Sequence, residues 1–149
     1  MASNAFILSA NLDLRGSVNM SIGEKIGKAD WKTEKHVPVI EAATEVKADA
    51  MFEVKVSVGK EIAHPNTTAH HISWIQLYFL ADGEKHVHQV GGFQFTAHAE
   101  GADGADTGAV KTHHAVTISM STKKSGKLMA LAMCNIHGLW ESEKDIKVA

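Results

Sequence analysis

The feature that most constrains the fold is a two-residue alternation of apolar and polar side chains in residues 51–58. Every second residue there is apolar, and three of the four are valines: Phe52, Val54, Val56 and Val58. Successive side chains of a strand point to opposite faces, so the alternation predicts a strand with one face in a core and the other in solvent. Valine supports this assignment because its β-branched side chain packs well on a pleated surface. We therefore expect a half-buried antiparallel strand here.

Further segments with strand character follow at short spacing. They are rich in apolar, aromatic and β-branched residues and lie at residues 71–80, 86–90, 93–98, 114–120 and 127–134. Asp82-Gly83 is a hairpin turn signal, and Gly91-Gly92 predicts a bulge or bend that breaks the strand character. No long stretch has the apolar period of a helix. The pattern as a whole predicts an all-β fold, specifically a β-sandwich.

Length and composition narrow the class of protein. The 149 residues suit one domain with enough chain to bury a single core. The formal net charge of -2 lacks the basic excess of nucleic-acid-binding proteins, and no apolar run is as long as a membrane span, so we expect neither partner. One cysteine cannot form an internal disulfide, and the first residues lack the basic start and long apolar run of a signal peptide. We therefore expect a cytoplasmic protein.

The single cysteine lies in a setting that suits a metal ligand. Cys134 ends the apolar segment 127–134, and His137 and Gly138 follow closely. A tight turn brings a thiolate and an imidazole together at this spacing, and glycine lets the backbone pass close by. Backbone N–H groups in such a turn can also donate to the sulfur and adjust its donor strength. The spacing alone is weak evidence, since a lone buried cysteine is more often a small core residue.

Two upstream segments place histidines beside the only prolines of the chain. His36 lies two residues before Pro38, His64 directly precedes Pro65, and His70 follows in the second segment. Proline restricts its own backbone and that of the preceding residue, so both segments are stiffened. A preorganised metal site needs ligands that the scaffold holds in place. We therefore expect the two segments and the cysteine to share a metal ion.

Three motifs cover these segments in order: Glu-Lys-His-Val-Pro-Val-Ile-Glu at 34–41, His-Pro-Asn-Thr-Thr-Ala-His-His-Ile at 64–72, and Cys-Asn-Ile-His-Gly-Leu-Trp-Glu at 134–141. In sequence and order they resemble the superoxide reductase family of the one-iron type, also called neelaredoxin. The resemblance runs from about residue 30 to residue 141. It implies an immunoglobulin-like antiparallel β-sandwich of about seven strands that holds one mononuclear non-haem iron.

The resemblance also implies roles for individual residues. Carried over by motif, the iron ligands are four equatorial imidazoles and one axial thiolate, from His36, His64, His70, His137 and Cys134. Glu34 would be the carboxylate that closes onto ferric iron, and Lys35 the cation beside the open sixth position.

The implied activity is the one-electron reduction of superoxide to hydrogen peroxide at one iron ion per chain. An axial thiolate would push electron density toward the open position, as it does in thiolate-ligated haem. A positively charged site attracts the superoxide anion. The resemblance further implies re-reduction by an external electron-donor protein, usually rubredoxin, and a homo-oligomer, with a homotetramer as the specific expectation.

Residues 1–29 lie outside the motif match, and we interpret them as an N-terminal lead-in or extension with at most one short strand, at residues 4–14. We assign residues 30–149 to the iron-binding superoxide reductase domain. Related two-domain proteins carry an additional four-cysteine iron domain, which a chain with one cysteine cannot form.

Two other kinds of metal site use the same residue types. A blue-copper site usually needs an axial methionine after its last histidine, and residues 138–149 contain none. A structural zinc site of one cysteine and three histidines would make the protein a colourless binding module that does not react with superoxide. A fifth ligand and a visible charge-transfer band distinguish iron from zinc. His71, next to His70, would point to the opposite face of a strand, so we expect it to pack behind the site.

Overall fold

A computed structural model describes residues 20–149, so the strand expected at residues 4–14 lies outside the described residues. A short 3-10 helix at Ile22–Lys25 comes first, with Ser21 as its N-cap. Among residues 20–149, no helix has the length and apolar character that crossing a membrane requires. Eight strands follow in this part of the chain: β1 (Pro38–Glu41), β2 (Glu45–Val46), β3 (Phe52–Val58), β4 (Ile72–Ala81), β5 (His88–Gln94), β6 (Ala115–Met120), β7 (Gly126–Cys134) and β8 (Gly138–Val148).

The strands form two sheets. The smaller has the order β1-β3-β6, and the larger has the order β2-β8-β7-β4-β5. The two-residue β2 runs parallel to the end of β8, and the other pairs of these strands are antiparallel. The arrangement confirms the all-β sandwich, with β2 as a short addition at one edge.

The core lies between the sheets and follows the alternation seen in the sequence. Along β3, the three valines Val54, Val56 and Val58 are at most 1% exposed. Along β7, every second side chain is fully buried, at 0% exposure: Leu128, Ala130, Ala132 and Cys134. Cys134 is therefore in phase with the core-facing residues of β7, and its thiol lies at the end of the core layer.

Most predicted strands are present within one residue of the expected bounds. The exception concerns the segments expected at 86–90 and 93–98. Residues 88–94 form the single strand β5, which has a bulge in its pairing to β4, and residues 86–87 and 95–98 lie outside this strand. The bulge is confirmed, but the break at the glycine pair was wrong. A Cβ at Gly91 would lie 3.1 Å from Ile118 Cδ1, so the absence of a side chain there makes room for a residue of the other sheet. The strand continues through this close contact.

Strand β8 was not predicted, although it pairs with β7 along the whole length of β7. Its core-facing positions are difficult to recognise in the sequence, because the polar residues Ser142 and Lys144 lie on the same face as the buried Ile146. The polar residues interrupt the apolar alternation that marks the other strands.

The strand register gathers the three motif segments at one end of the sandwich. Cys134, the last residue of β7, is paired with Ile72 at the start of β4 and with Gly138 at the start of β8. In the smaller sheet, Pro38 at the start of β1 is paired with Val58 at the end of β3. The segments that precede β1, connect β3 to β4 and connect β7 to β8 can therefore meet.

Candidate metal centre

Four of the five predicted ligands form a compact cluster at this end of the sandwich. His36, His64, His70 and Cys134 each present one ligand atom, and the four atoms all lie within 4.8 Å of one another. His36 and His64 are 6% and 5% exposed, and Cys134 is fully buried. The cluster joins three segments that are far apart in the sequence.

The fifth predicted ligand, His137, adjoins this cluster on its exposed side. Its Nδ1 atom lies 3.0 Å from His36 Nε2 and 3.7 Å from Cys134 Sγ. Two nitrogens that bind one ion at a right angle, each at about 2.1 Å, are about 3.0 Å apart, whereas a tetrahedral angle separates them by about 3.4 Å. The spacing between His36 and His137 matches the right-angle arrangement.

The four imidazole rings surround a common centre. Neighbouring ring centroids are separated by 4.9 Å for His36 and His64, 4.8 Å for His64 and His70, 5.0 Å for His70 and His137, and 4.6 Å for His137 and His36. The diagonal between His36 and His70 is longer, at 6.2 Å. His64 and His137 therefore lie at the remaining opposite corners. An equatorial set of four imidazoles requires such a four-cornered arrangement.

Hydrogen bonds direct an unprotonated nitrogen of two histidines into the cluster. His64 Nδ1 donates to the carbonyl oxygen of Pro65 at 2.7 Å, and His36 Nδ1 donates to Glu34 Oε1 at 2.6 Å. In a neutral imidazole the Nε2 atom then carries the lone pair. Burial lowers the pKa of His64 to about 4, and burial also lowers the pKa of His70. Both imidazoles are therefore neutral at pH 7 and ready to bind a metal.

Buried nitrogens without a hydrogen-bond partner support the presence of a metal. Within residues 20–149, His64 Nε2 and His70 Nε2 are buried and have no partner. Leaving such an atom unsatisfied costs about 1–3 kcal/mol, and a cation at the centre of the cluster would remove that cost for both. Imidazole and thiolate ligands suit iron, copper or zinc. The residues present therefore fit one transition-metal ion.

The turn between β7 and β8 holds Cys134 and His137 together as the sequence predicted. The backbone N–H of His137 donates to Cys134 Sγ at 3.4 Å. Gly138 has a φ of 77°, a left-handed conformation that favours glycine, and this allows β8 to begin directly after His137.

The two predicted catalytic residues lie on the segment that leads to His36. Glu34 Oε1 accepts hydrogen bonds from the backbone N–H of His36 at 3.2 Å and from its ring at 2.6 Å. These bonds keep the pKa of Glu34 below its ordinary value, so the carboxylate is ionised at pH 7. Lys35 is half-buried. It directly precedes His36 in the chain, so its backbone lies next to a member of the cluster.

Asn135 braces the cluster, a role that the sequence did not reveal. Its Oδ1 accepts from the backbone N–H of His71 at 2.9 Å, and its Nδ2 donates to the carbonyl oxygen of Ala69 at 2.9 Å. The two hydrogen bonds hold the backbone on either side of His70 against Asn135, the residue that follows Cys134. In the sequence, only its position inside the third motif indicated that Asn135 could have a role at the metal site.

His71 lies behind the cluster, as expected from its neighbouring position. Its ring stacks on that of His98 at a centroid distance of 3.5 Å, and its Nδ1 lies 3.0 Å from the carbonyl oxygen of Thr67. His71 therefore supports the loop that carries His64 and His70.

Comparison with known proteins agrees with this geometry. The chain matches the desulfoferrodoxin family over residues 28–143. It is 55% identical over 127 residues to the neelaredoxin of Megalodesulfovibrio gigas, which covers 85% of this chain and 98% of that protein. It is 56% identical over 122 residues to the superoxide reductase of Pyrococcus furiosus, which covers 82% of this chain and 96% of that protein. The reduced superoxide reductase (neelaredoxin) structure from Archaeoglobus fulgidus matches with a TM-score of 0.77 at 49% identity, over 83% of this chain and 99% of that one. The resemblance read from the three motifs is confirmed, and the chain belongs to the desulfoferrodoxin family.

Proposed function

We propose that this protein is a superoxide reductase with one mononuclear non-haem iron per chain. The reaction combines superoxide with one electron and two protons to give hydrogen peroxide. The observation that carries the proposal is the convergence of four imidazoles and one thiolate at one end of the sandwich, in a protein whose relatives are named superoxide reductase.

In this proposal all five clustered side chains bind the iron. The ligands are His36, His64, His70, His137 and Cys134. Bound iron would supply the single electron that the reduction requires. The right-angle spacing between His36 and His137 supports a fifth ligand, because a closed tetrahedral site has no need of it. The hydrogen bond from His137 N–H to Cys134 Sγ would tune the donor strength of the thiolate.

Lys35 and Glu34 would act at the open coordination position, where the substrate binds. Four neutral imidazoles and one thiolate would leave ferrous iron with a net positive charge. The ammonium group of the half-buried Lys35 would add a second positive charge. The anionic substrate would be attracted to this charge, and Lys35 would hold a water molecule for proton delivery. Glu34, ionised and bonded to His36 in the structure, would close onto the oxidised centre between turnovers.

The remaining expectations concern partners and location. We propose that an external electron-donor protein such as rubredoxin returns the electron after each turnover. We further propose a homo-oligomer, specifically a homotetramer, that functions in the cytoplasm. The single cysteine cannot form an internal disulfide, so nothing in the sequence suggests an oxidising compartment.

The deciding experiment is metal analysis combined with a visible spectrum of the purified protein, first oxidised and then reduced. Near one iron per chain, with a thiolate-to-iron band that bleaches on reduction, would support the proposal. Superoxide should then disappear with formation of hydrogen peroxide and without evolution of oxygen. Protein that binds iron but leaves superoxide untouched would contradict it.

A structural zinc site is the second candidate, since three histidines and Cys134 alone present four ligand atoms within 4.8 Å of one another. Stoichiometric zinc in colourless protein, even after refolding with excess iron, would favour this reading. The variant His137→Ala distinguishes the four-ligand zinc site from the five-ligand iron site. It should leave zinc binding by the other four residues nearly intact, whereas it should weaken a five-ligand iron site.

A further inference from the structure

Trp140 contacts two of the proposed iron ligands. Its ring and the ring of His36 are stacked, with centroids 5.2 Å apart and an interplanar angle of 18°. Its Nε1 donates a hydrogen bond to the carbonyl oxygen of His137 at 3.2 Å. The indole therefore lies against the ring of one ligand and is bonded to the backbone of another.

The stack with Trp140 complements the hydrogen bond that His36 makes with Glu34. That hydrogen bond lies in the plane of the imidazole and fixes the position of Nδ1. A hydrogen bond at one ring atom still permits the ring to tilt about it. A flat indole against the face of the ring opposes this tilt, so the two contacts together define where Nε2 points.

Gly27 in turn determines where the indole of Trp140 lies. The two residues form a parallel β-bridge, in which Gly27 N–H donates to Leu139 O at 2.8 Å and Glu141 N–H donates to Gly27 O at 2.9 Å. A Cβ at Gly27 would lie 2.6 Å from both Cδ2 and Cε3 of Trp140. The indole thus occupies the space in which any other residue at this position would place its side chain.

The requirement for glycine at position 27 is a matter of space and not of backbone conformation. Gly27 is absent from the glycines with a positive φ among the described residues, so alanine can adopt its backbone conformation without strain. An alanine there would instead push the ring of Trp140 by several tenths of an ångström or more. Because the ring is stacked on His36, such a displacement would reach the metal centre.

We propose that Gly27 is a positioning residue of the metal centre, which acts by letting Trp140 lie against His36. The inference rests on the proposed function, because it requires that His36 binds iron. It gives a role to a residue that the sequence placed in the lead-in, so the functional unit begins before residue 30. A purely structural role in pairing with β8 predicts a different result, since it would change stability without changing the iron site.

The test compares two glycine-to-alanine variants of the iron-loaded protein. Gly27→Ala should release iron to a chelator about 10-fold faster than wild type, which is the order of effect known for groups that orient metal ligands. Its thiolate-to-iron band should also shift. Gly23→Ala is the matched control, because a Cβ at Gly23 would meet only Ser21 Oγ at an ordinary 3.6 Å. This control should release iron at the wild-type rate.

A double-mutant cycle with Trp140→Leu tests whether Gly27 acts through the indole. Trp140→Leu alone should also release iron about 10-fold faster, and adding Gly27→Ala to it should change the rate no further. If Gly27→Ala alone fails to fold, iron release from Trp140→Leu tests whether the indole positions His36. The melting temperature of Trp140→Leu then checks that this variant is folded.

Three results would overturn the inference. The first is a wild-type release rate and spectrum in Gly27→Ala, and the second is the same result in Trp140→Leu. The third is faster iron release from the double variant than from Trp140→Leu alone. Wild-type protein that binds no iron would overturn the proposed function, and this inference with it. These failures are distinguishable, because the first three occur in a protein that holds iron.

Discussion

At the scale of single residues, Cys134 combines a packing role with a chemical one. Its side chain is fully buried in phase with the core of β7, yet its sulfur also borders His137 Nδ1 at 3.7 Å. Serine is close in size, so Cys134→Ser should keep the fold, at a cost of about 1–3 kcal/mol if the new hydroxyl lacks a partner. The softer thiolate would be lost, and with it the visible band and superoxide reduction. Circular dichroism and the activity assay check the prediction, which full activity in the variant would contradict.

Lys35 provides a test of electrostatic steering. Lys35→Ala should slow the reaction with superoxide at low ionic strength, because it removes a positive charge from the residue next to His36. The difference from wild type should shrink as salt screens the charge. Lys35→Arg, which keeps the charge, is the control, and iron content should be unchanged in both variants. Stopped-flow or pulse-radiolysis rates at several salt concentrations give the measurement, and equal rates at low salt would count against steering.

Asn135 provides a test of how the backbone around His70 is held. Asn135→Ala removes both side-chain bonds, to His71 N–H and to Ala69 O, and should lower iron affinity about 10-fold. Asn135→Asp keeps the acceptor for His71 and loses the donor to Ala69, so its affinity should fall between those of alanine and wild type. Chelator competition measures the affinities. Wild-type affinity in Asn135→Ala would mean that the loop is held by other contacts.

At the scale of elements, β7 carries the core on one face and a partly exposed surface on the other. Leu128 is fully buried, whereas Leu131, on the opposite face, is half-buried. Leu128→Ala should cost about 2–5 kcal/mol of unfolding free energy, and Leu131→Ala should cost clearly less. Leu128 lies six residues before Cys134, about 20 Å along the strand, so iron binding should persist in both variants. Urea denaturation and iron analysis check both points, and equal losses would contradict the assigned core face.

How much could be predicted from the sequence depended on whether a signal was local. The alternation in β3 and β7 and the three motifs are local, and they predicted the sandwich and the five residues that meet at its end. Strand β8 was not predicted, because the polar residues Ser142 and Lys144 interrupt the apolar alternation on its core-facing side. The bridge between Gly27 and Trp140 and the bonds of Asn135 depend on pairing between distant segments, which no local pattern encodes.

At the scale of the whole molecule, the centre connects the two sheets of the sandwich. His36 precedes β1 and His64 follows β3, both in the smaller sheet, whereas His70 and Cys134 adjoin β4 and β7 of the larger sheet. A metal held by these residues would cross-link the layers. Without metal, the same region contains buried neutral histidines that oppose protonation, and this predicts how stability depends on pH.

The metal-free protein should lose stability as the pH falls from about 6.5 toward 4. Burial lowers the pKa of both His64 and His114 from the ordinary 6.5 to about 4. Between these pH values the unfolded chain binds a proton at each histidine and the folded chain does not, so protonation favours unfolding. Each histidine contributes a slope of at most about 1.4 kcal/mol per pH unit.

His114 allows this effect to be separated from metal binding, because it is not one of the proposed ligands. Its Nδ1 is buried and has no hydrogen-bond partner within residues 20–149, so His114→Leu should remove one titrating group without leaving a new polar atom unsatisfied. The unfolding free energy of this variant should therefore fall less steeply with decreasing pH than that of wild type, while His64 still contributes its share. Urea denaturation of both proteins at pH 7, 6 and 5, after chelation of metal, gives the two slopes. Identical slopes would show that His114 is protonated equally in the folded and unfolded chains, contrary to the effect of its burial on its pKa.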